Sequence, residues 1–142
     1  MHGFKYWNGT CYRFIESKED WEGANDKCKD VSDGKATLVS IHSQEENDYV
    51  LSLFIDKGDM LAVWIGGIIT YPYVGKGTWI DGTPWDFTNW YPGEPNGEQW
   101  GNGSPEAVGM YGTYDGKTPG TWNDVSKGVK LPGLVCSYQP GK

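Results

Sequence analysis

Between residues 62 and 96 the chain reads AVWIGGIITYPYVGKGTWIDGTPWDFTNWYPGEPN, and this stretch decides the architecture. It starts as a short apolar run, Ala62-Val63-Trp64-Ile65-Gly66, bounded by glycines, which predicts a buried strand. From Thr70 to about Pro105 the periodicity fades and Gly, Pro, Asn, Asp and Trp dominate. So long an aperiodic stretch inside a compact domain is usually either functional or disordered. Seven aromatic residues between Tyr71 and Tyr91 argue against disorder, because disordered segments are poor in them. The reading is a folded loop region, about residues 68–106, that carries a site.

Upstream, residues 5–15 interleave Tyr6, Trp7, Tyr12 and Phe14 with polar groups, as a strand or hairpin does. Ser17 stands three residues before Asp20 and predicts a helix N-cap there. Trp21, Ala24 and Cys28 then fall at i, i+3 and i+7, on one helical face. Ser43 with Glu46 forms a second capping box, followed by the apolar stripe Tyr49, Val50, Leu53 and Phe54, with Gly58 as the stop. Downstream, short strands are expected at Val108–Tyr111, around Thr121-Trp122, and at Leu134–Tyr138. Two helices followed by strands make an α+β class, expected as one domain over residues 1–142.

The 142 residues suffice for one hydrophobic core. A net charge of −7 argues against nucleic acid as a partner, since phosphate binding needs clustered Lys and Arg. No apolar run approaches the roughly 20 residues of a membrane helix, so no membrane insertion is expected. Met1-His2 leads into Gly3-Phe4 with no charged and apolar leader pattern. Asn8-Gly9-Thr10 and Asn102-Gly103-Ser104 read as N-glycosylation acceptors. With the cysteines they lean toward an extracellular setting. Three cysteines permit one internal pair with one thiol left over, and their spacing gives no zinc pattern.

Five segments in order and spacing, Trp64-Ile65-Gly66, Trp79-Ile80-Asp81-Gly82, Asn89-Trp90, Glu94-Pro95-Asn96 and Trp122-Asn123-Asp124, resemble the C-type lectin family. The resemblance runs from Cys11-Tyr12 to Cys136. It implies the C-type lectin fold: two helices, small antiparallel sheets and a long calcium-binding loop region. It also implies a disulfide between Cys28 and Cys136. The family's usual second disulfide is missing, because Ala107 or Val108 and Lys127 stand at its positions. Cys11 is left either as a free buried thiol or as one half of an intermolecular bond.

The resemblance further implies one Ca²⁺, held by Glu94, Asn96, Glu106, Asn123 and Asp124, with Glu98 as the alternative to Glu106. Ca²⁺ takes 6–8 oxygen ligands, and carboxylates and amide carbonyls are suitable hard donors. A cis bond at Pro95 would turn Glu94 and Asn96 toward one ion. The same five residues would bind the sugar, with two vicinal hydroxyls completing the shell. In the family, Glu-Pro-Asn goes with mannose, fucose and N-acetylglucosamine, and Gln-Pro-Asp with galactose. A secreted, extracellular lectin for mannose-type glycans follows, with an oligomer as a source of avidity. Residues 61–80 contain no Asp or Glu, so the auxiliary calcium site of some family members is not expected. The alternative is a calcium-independent domain on the same fold that binds protein or ice.

Glu94-Pro95-Asn96 alone is also a good turn sequence. Trp21, Trp64, Trp79, Trp90 and Trp122 read as core. Trp85 and Trp100 read as either buried or available to stack on a sugar face. Glu45, Glu46 and Asp48 read as a solvated helix face, and neither His42 nor His2 has a partner at catalytic spacing in the sequence. An enzyme is not expected.

Overall fold

The computed structural model describes residues 2–70, 75–97 and 106–141. The chain opens with a hairpin, β1 (Lys5–Trp7) and β2 (Thr10–Glu19). Its two-residue turn is Asn8-Gly9, both with positive φ, which suits the twist of a type I′ turn. Helix α1 (Trp21–Asp30) starts one turn later than the expectation from Ser17. Ser17 lies in β2 and donates to Glu19, while Asp20 is the cap and accepts from the Gly23 amide at 2.7 Å. The pairing of β2 with β8 (Leu131–Tyr138) extends as far as Glu19 and holds that segment extended. The face predicted for α1 is the buried one, with Trp21, Ala24 and Cys28 inside.

A two-residue strand β3 (Thr37–Leu38) follows, then α2 (Gln44–Ser52), capped by Ser43 as expected. The α2 helix ends at Ser52, six residues short of Gly58. Phe54 nevertheless stays in the core, carried on the turns after the helix. The predicted buried strand is β4 (Ala62–Ile69), and β5 (Gly77–Trp79) returns against it. β6 (Ala107–Tyr111), β7 (Trp122–Val125) and β8 complete the set.

The small antiparallel sheets join into one, in the order β1-β2-β8-β4-β6-β7, with β3 beside β8 and β5 beside β4. The joint is the parallel pair β4–β8, Val63 opposite Gly133 and Trp64 opposite Leu134. Gly66 permits the close approach of the β3 segment to β4. Its amide donates to the Val39 carbonyl at 2.8 Å, and a Cβ there would lie 2.6 Å from the Leu38 carbonyl oxygen. Cys28 and Cys136, both fully buried, are disulfide-bonded and clamp α1 to β8. Cys11 is half-buried, carries no disulfide and lies in hydrogen-bond contact with Tyr138.

Candidate functional site

Strand β7 carries Asn123 and Asp124 at 3% and 1% exposure, immediately after the fully buried Trp122. The Trp122 indole is fixed from below, where Nε1 donates to Asn47 Oδ1 at 2.8 Å. Asn47 in turn donates to the Gly120 carbonyl at 2.9 Å, and Asn89 reaches the same oxygen at 2.8 Å. Trp79, Trp85, Phe87 and Trp90 surround the Trp122 ring at centroid distances of 5.6, 6.1, 5.8 and 5.7 Å. Trp85 is thereby built into the aromatic cluster. Trp90, expected in the core, is only half-buried, and Trp100 lies outside the described residues.

The loop 94–97 is pressed against β7 through Asp124. Its Oδ2 accepts the Gly97 amide at 2.8 Å and its Oδ1 the Asn96 amide at 3.3 Å. The Glu94–Pro95 peptide is cis, as the resemblance implied. Asn96 Nδ2 donates to Glu94 Oε2 at 3.4 Å. Two carboxylates and one amide of the expected set, Glu94, Asp124 and Asn96, thus meet, drawn from two segments that lie 28 residues apart, and Asn123 precedes Asp124 on β7.

The electrostatics of this meeting favour a cation. Burial, and then the adjoining Asp124 carboxylate, push the Glu94 carboxyl up to about 7; the Asn96 amide and Lys117 pull more weakly the other way. Glu94 Oε1 and Asn123 Oδ1 are buried, and no donor reaches either. Orphaned acceptors beside a crowded carboxylate pair are costly unless a proton or a metal fills the gap. All the donors are oxygens, which suits Ca²⁺ rather than a softer metal.

Glu106 stands just ahead of β6, two residues before Val108, the strand partner of Asp124. Its carbonyl accepts the Ile69 amide at 2.9 Å. Among the described residues no three His, Cys, Asp or Glu side chains converge on a metal position, so Glu106 is not drawn in beside Glu94 and Asp124. Glu98 falls outside the described residues.

Residues 17–138 match the family profile described as the lectin C-type domain. The chain belongs to the C-type lectin domain family. It is 31% identical over 128 residues to a lectin of Pleurodeles waltl, covering 89% of this chain and 69% of that protein. It is 36% identical over 126 residues to the low affinity immunoglobulin epsilon Fc receptor of Mus musculus, and there spans only 33% of the relative. Its fold is similar to that of the cow C-type carbohydrate-recognition domain of CD23, crystallised in the presence of a GlcNAc2Man3 oligosaccharide. The TM-score is 0.77, with 31% identity and coverage of 100% of this chain and 97% of that one. A calcium-independent type II antifreeze protein shares the fold alone, at 24% identity, TM-score 0.76 and coverage of 98% and 93%. C-type lectin domains are binding domains, not enzymes, that recognise carbohydrate and typically bind Ca²⁺.

Several residues around this candidate site carry no signal in the sequence. Tyr111 lies near Glu94, and its hydroxyl is buried without a partner. Burial first, and then the Glu94 charge, push it well above the usual phenol range. Lys117 sits 4.3 Å over the Tyr91 ring and 5.7 Å from the Tyr111 ring centre. The expectation that Glu46 is merely solvated also fails: its carboxylate accepts the His42 amide at 2.7 Å and the Tyr12 hydroxyl at 2.5 Å. Glu45 and Asp48 are exposed, as expected.

Proposed function

We propose that this C-type lectin domain binds mannose-type glycans (mannose, fucose, N-acetylglucosamine) in a calcium-dependent manner at Glu94, Asn96, Asn123 and Asp124. Glu106 would complete the ligand set in the loaded state. The observation that carries the reading is the pair of buried acceptors without donors, Glu94 Oε1 and Asn123 Oδ1, beside the Asp124 carboxylate. When bound, calcium supplies a Lewis-acidic centre that takes up sugar hydroxyl oxygens. The chain's own groups orient the sugar: carboxylates accept hydroxyl protons, and amide N–H groups donate to hydroxyl oxygens. The acid-then-amide order Glu94-Pro95-Asn96 sets that pattern. No bond is broken.

The buried Cys28–Cys136 disulfide supports a secreted, extracellular setting, because such bonds persist in oxidising compartments. Among the described residues no helix is long and apolar enough to cross a membrane. Glycans are the partners in this reading, and a shallow site gains from oligomers through avidity.

The experiment is passage over mannose-agarose with calcium, followed by a chelator. Retention released by the chelator is expected. Absence of retention on mannose, fucose and N-acetylglucosamine resins by protein clustered on a multivalent carrier would favour the calcium-independent alternative. The double change Glu94→Gln with Asn96→Asp is expected to move preference toward galactose. Unchanged selectivity would mean that another feature reads the sugar.

A further inference from the structure

Away from the carboxylate pair, a chain of four side chains fastens the long loop to the body a second time. Asp86 Oδ1 lies 2.7 Å from His42 Nδ1, His42 Nε2 lies 3.0 Å from Ser40 Oγ, and Ser40 Oγ lies 2.5 Å from Asp81 Oδ2. Ser40 and His42 come from the segment between β3 and α2; Asp81 and Asp86 come from the loop after β5.

Each of the three contacts needs one proton. Two ionised carboxylates bring none, the serine hydroxyl brings one, a neutral imidazole one and an imidazolium two. A neutral His42 therefore leaves one contact as two facing lone pairs, whereas a charged His42 fills all three. In the filled arrangement Nδ1–H donates to Asp86, Nε2–H donates to Ser40, and the Ser40 hydroxyl donates to Asp81.

The other groups around the imidazole do not change the count. Glu46, from α2, accepts the His42 backbone amide and the Tyr12 hydroxyl, so it adds negative charge and no proton. Trp79 meets the ring edge to face at 6.1 Å. Lys35 lines the same cavity of about 540 Å³ as Ser40, His42, Glu46 and Asp81, but it makes no ion pair with them among the described residues. Ser, His and Asp also make up acyl-transfer relays. Here the Ser40 hydroxyl is committed to Asp81 and the residue is only 6% exposed, so the chain fastens rather than attacks. His42 and Asp86, at 28% and 53% side-chain exposure, can exchange protons with water.

We propose that Asp86–His42–Ser40–Asp81 is a proton-dependent strap that positions the long loop on Trp122, closed when His42 is charged and loosened when it is neutral. The flanking residues Trp85 and Phe87 pack on the Trp122 ring, one residue ahead of Asn123. His42 is thus a positioning residue, acting through the loop. Its link to the cation site rests on the proposed function; the strap itself needs neither calcium nor sugar.

The test is amide hydrogen exchange over residues 81–87 in the calcium-free chain at about pH 5 and about pH 8. Rates are divided by those of unstructured chain at the same pH. Wild-type protection is expected to fall on the order of tenfold across that interval, the effect of losing one hydrogen bond, while β4 and β8 stay constant. Asp86→Asn is the sharpest variant, because its amide brings the missing proton to Nδ1 and frees a neutral ring to donate from Nε2. Its protection at about pH 8 should match the wild type at about pH 5. His42→Ala should be poorly protected at both. Glu94 also titrates in this interval but is intact in Asp86→Asn, so the difference between that variant and wild type belongs to the strap. Equal wild-type protection at the two pH values, or an Asp86→Asn variant that keeps the wild-type dependence, would overturn the proposal. A strap that behaves as described in a chain whose protection calcium never changes would leave the proposal standing and count against the calcium reading alone.

Discussion

The body built from β1, β2, α1 and β8 and the loop region between β4 and β7 are held together by different physics. In the body, apolar faces close on each other and a disulfide ties residues 108 positions apart. Nothing there needs a proton or an ion to be complete. In the loop region the aromatic rings around Trp122 supply the packing, while buried polar atoms lack partners: Glu94 Oε1 and Asn123 Oδ1 have no donor, Trp79 Nε1 and Tyr111 Oη no acceptor, and the His42 chain is one proton short when the ring is neutral. Stability and the proposed binding are thereby separated in this lectin domain. The body carries the fold, and the loop keeps an electrostatic deficit that the proposed calcium would fill.

Breaking the body should give the largest effect. Replacing Cys28 and Cys136 together by alanine should lower stability by roughly 4–5 kcal/mol, the loop-closure value for a ring of this length. Urea unfolding measures it, and any chain that remains folded should keep its response to calcium. If that response were lost as well, the two regions would not be separable as described.

The seam between the regions is Asn47, buried in α2, bonded to both the Trp122 indole and the Gly120 carbonyl. Asn47→Ala should cost about 1–3 kcal/mol by stranding the buried indole N–H. It should weaken calcium binding, as removal of the body disulfide should not, because Trp122 leads directly into Asn123 and Asp124. An effect on thermal unfolding with no effect on calcium would place Asn47 wholly in the body.

The smallest expected effect is the dependence on pH, and its sign is informative. The Glu94 carboxyl is raised from its ordinary 4.5 to about 7, so the calcium-free fold binds that proton more tightly than the unfolded chain does. Its contribution is complete below about pH 4.5 and is lost as pH rises through about 7. Calcium needs the ionised carboxylate, so the rise in Tm on adding calcium should grow from about pH 5 to about pH 8. A rise of equal size at both would mean that Glu94 is not a ligand.

The same division explains what the sequence revealed. The period-3.6 placement of Trp21, Ala24 and Cys28 and the apolar run at Trp64 report burial directly, and both survive in the structure. Ser17 and Asp20 are both competent caps for α1, and the strand pairing that decides for Asp20 comes from distant β8. In the loop, no period links the partners. Asp86 meets His42 across 44 residues and Trp122 meets Asn47 across 75, so only the fold brings these polar pairs together. Glu94, Asn96, Asn123 and Asp124 were legible as motif residues. Tyr111 and Lys117 beside them carried no motif, and no local signal distinguishes them from other surface and strand residues.

In the proposed function, calcium fills the deficit at Glu94, Asn123 and Asp124. Isothermal titration of the metal-free domain with Ca²⁺ at neutral pH, beside Asp124→Asn, tests it most directly. One saturable site in the wild type, lost or weakened by at least tenfold in a folded Asp124→Asn chain, is the predicted result. A wild type without a calcium heat, or an Asp124→Asn variant that binds equally well, would contradict the account.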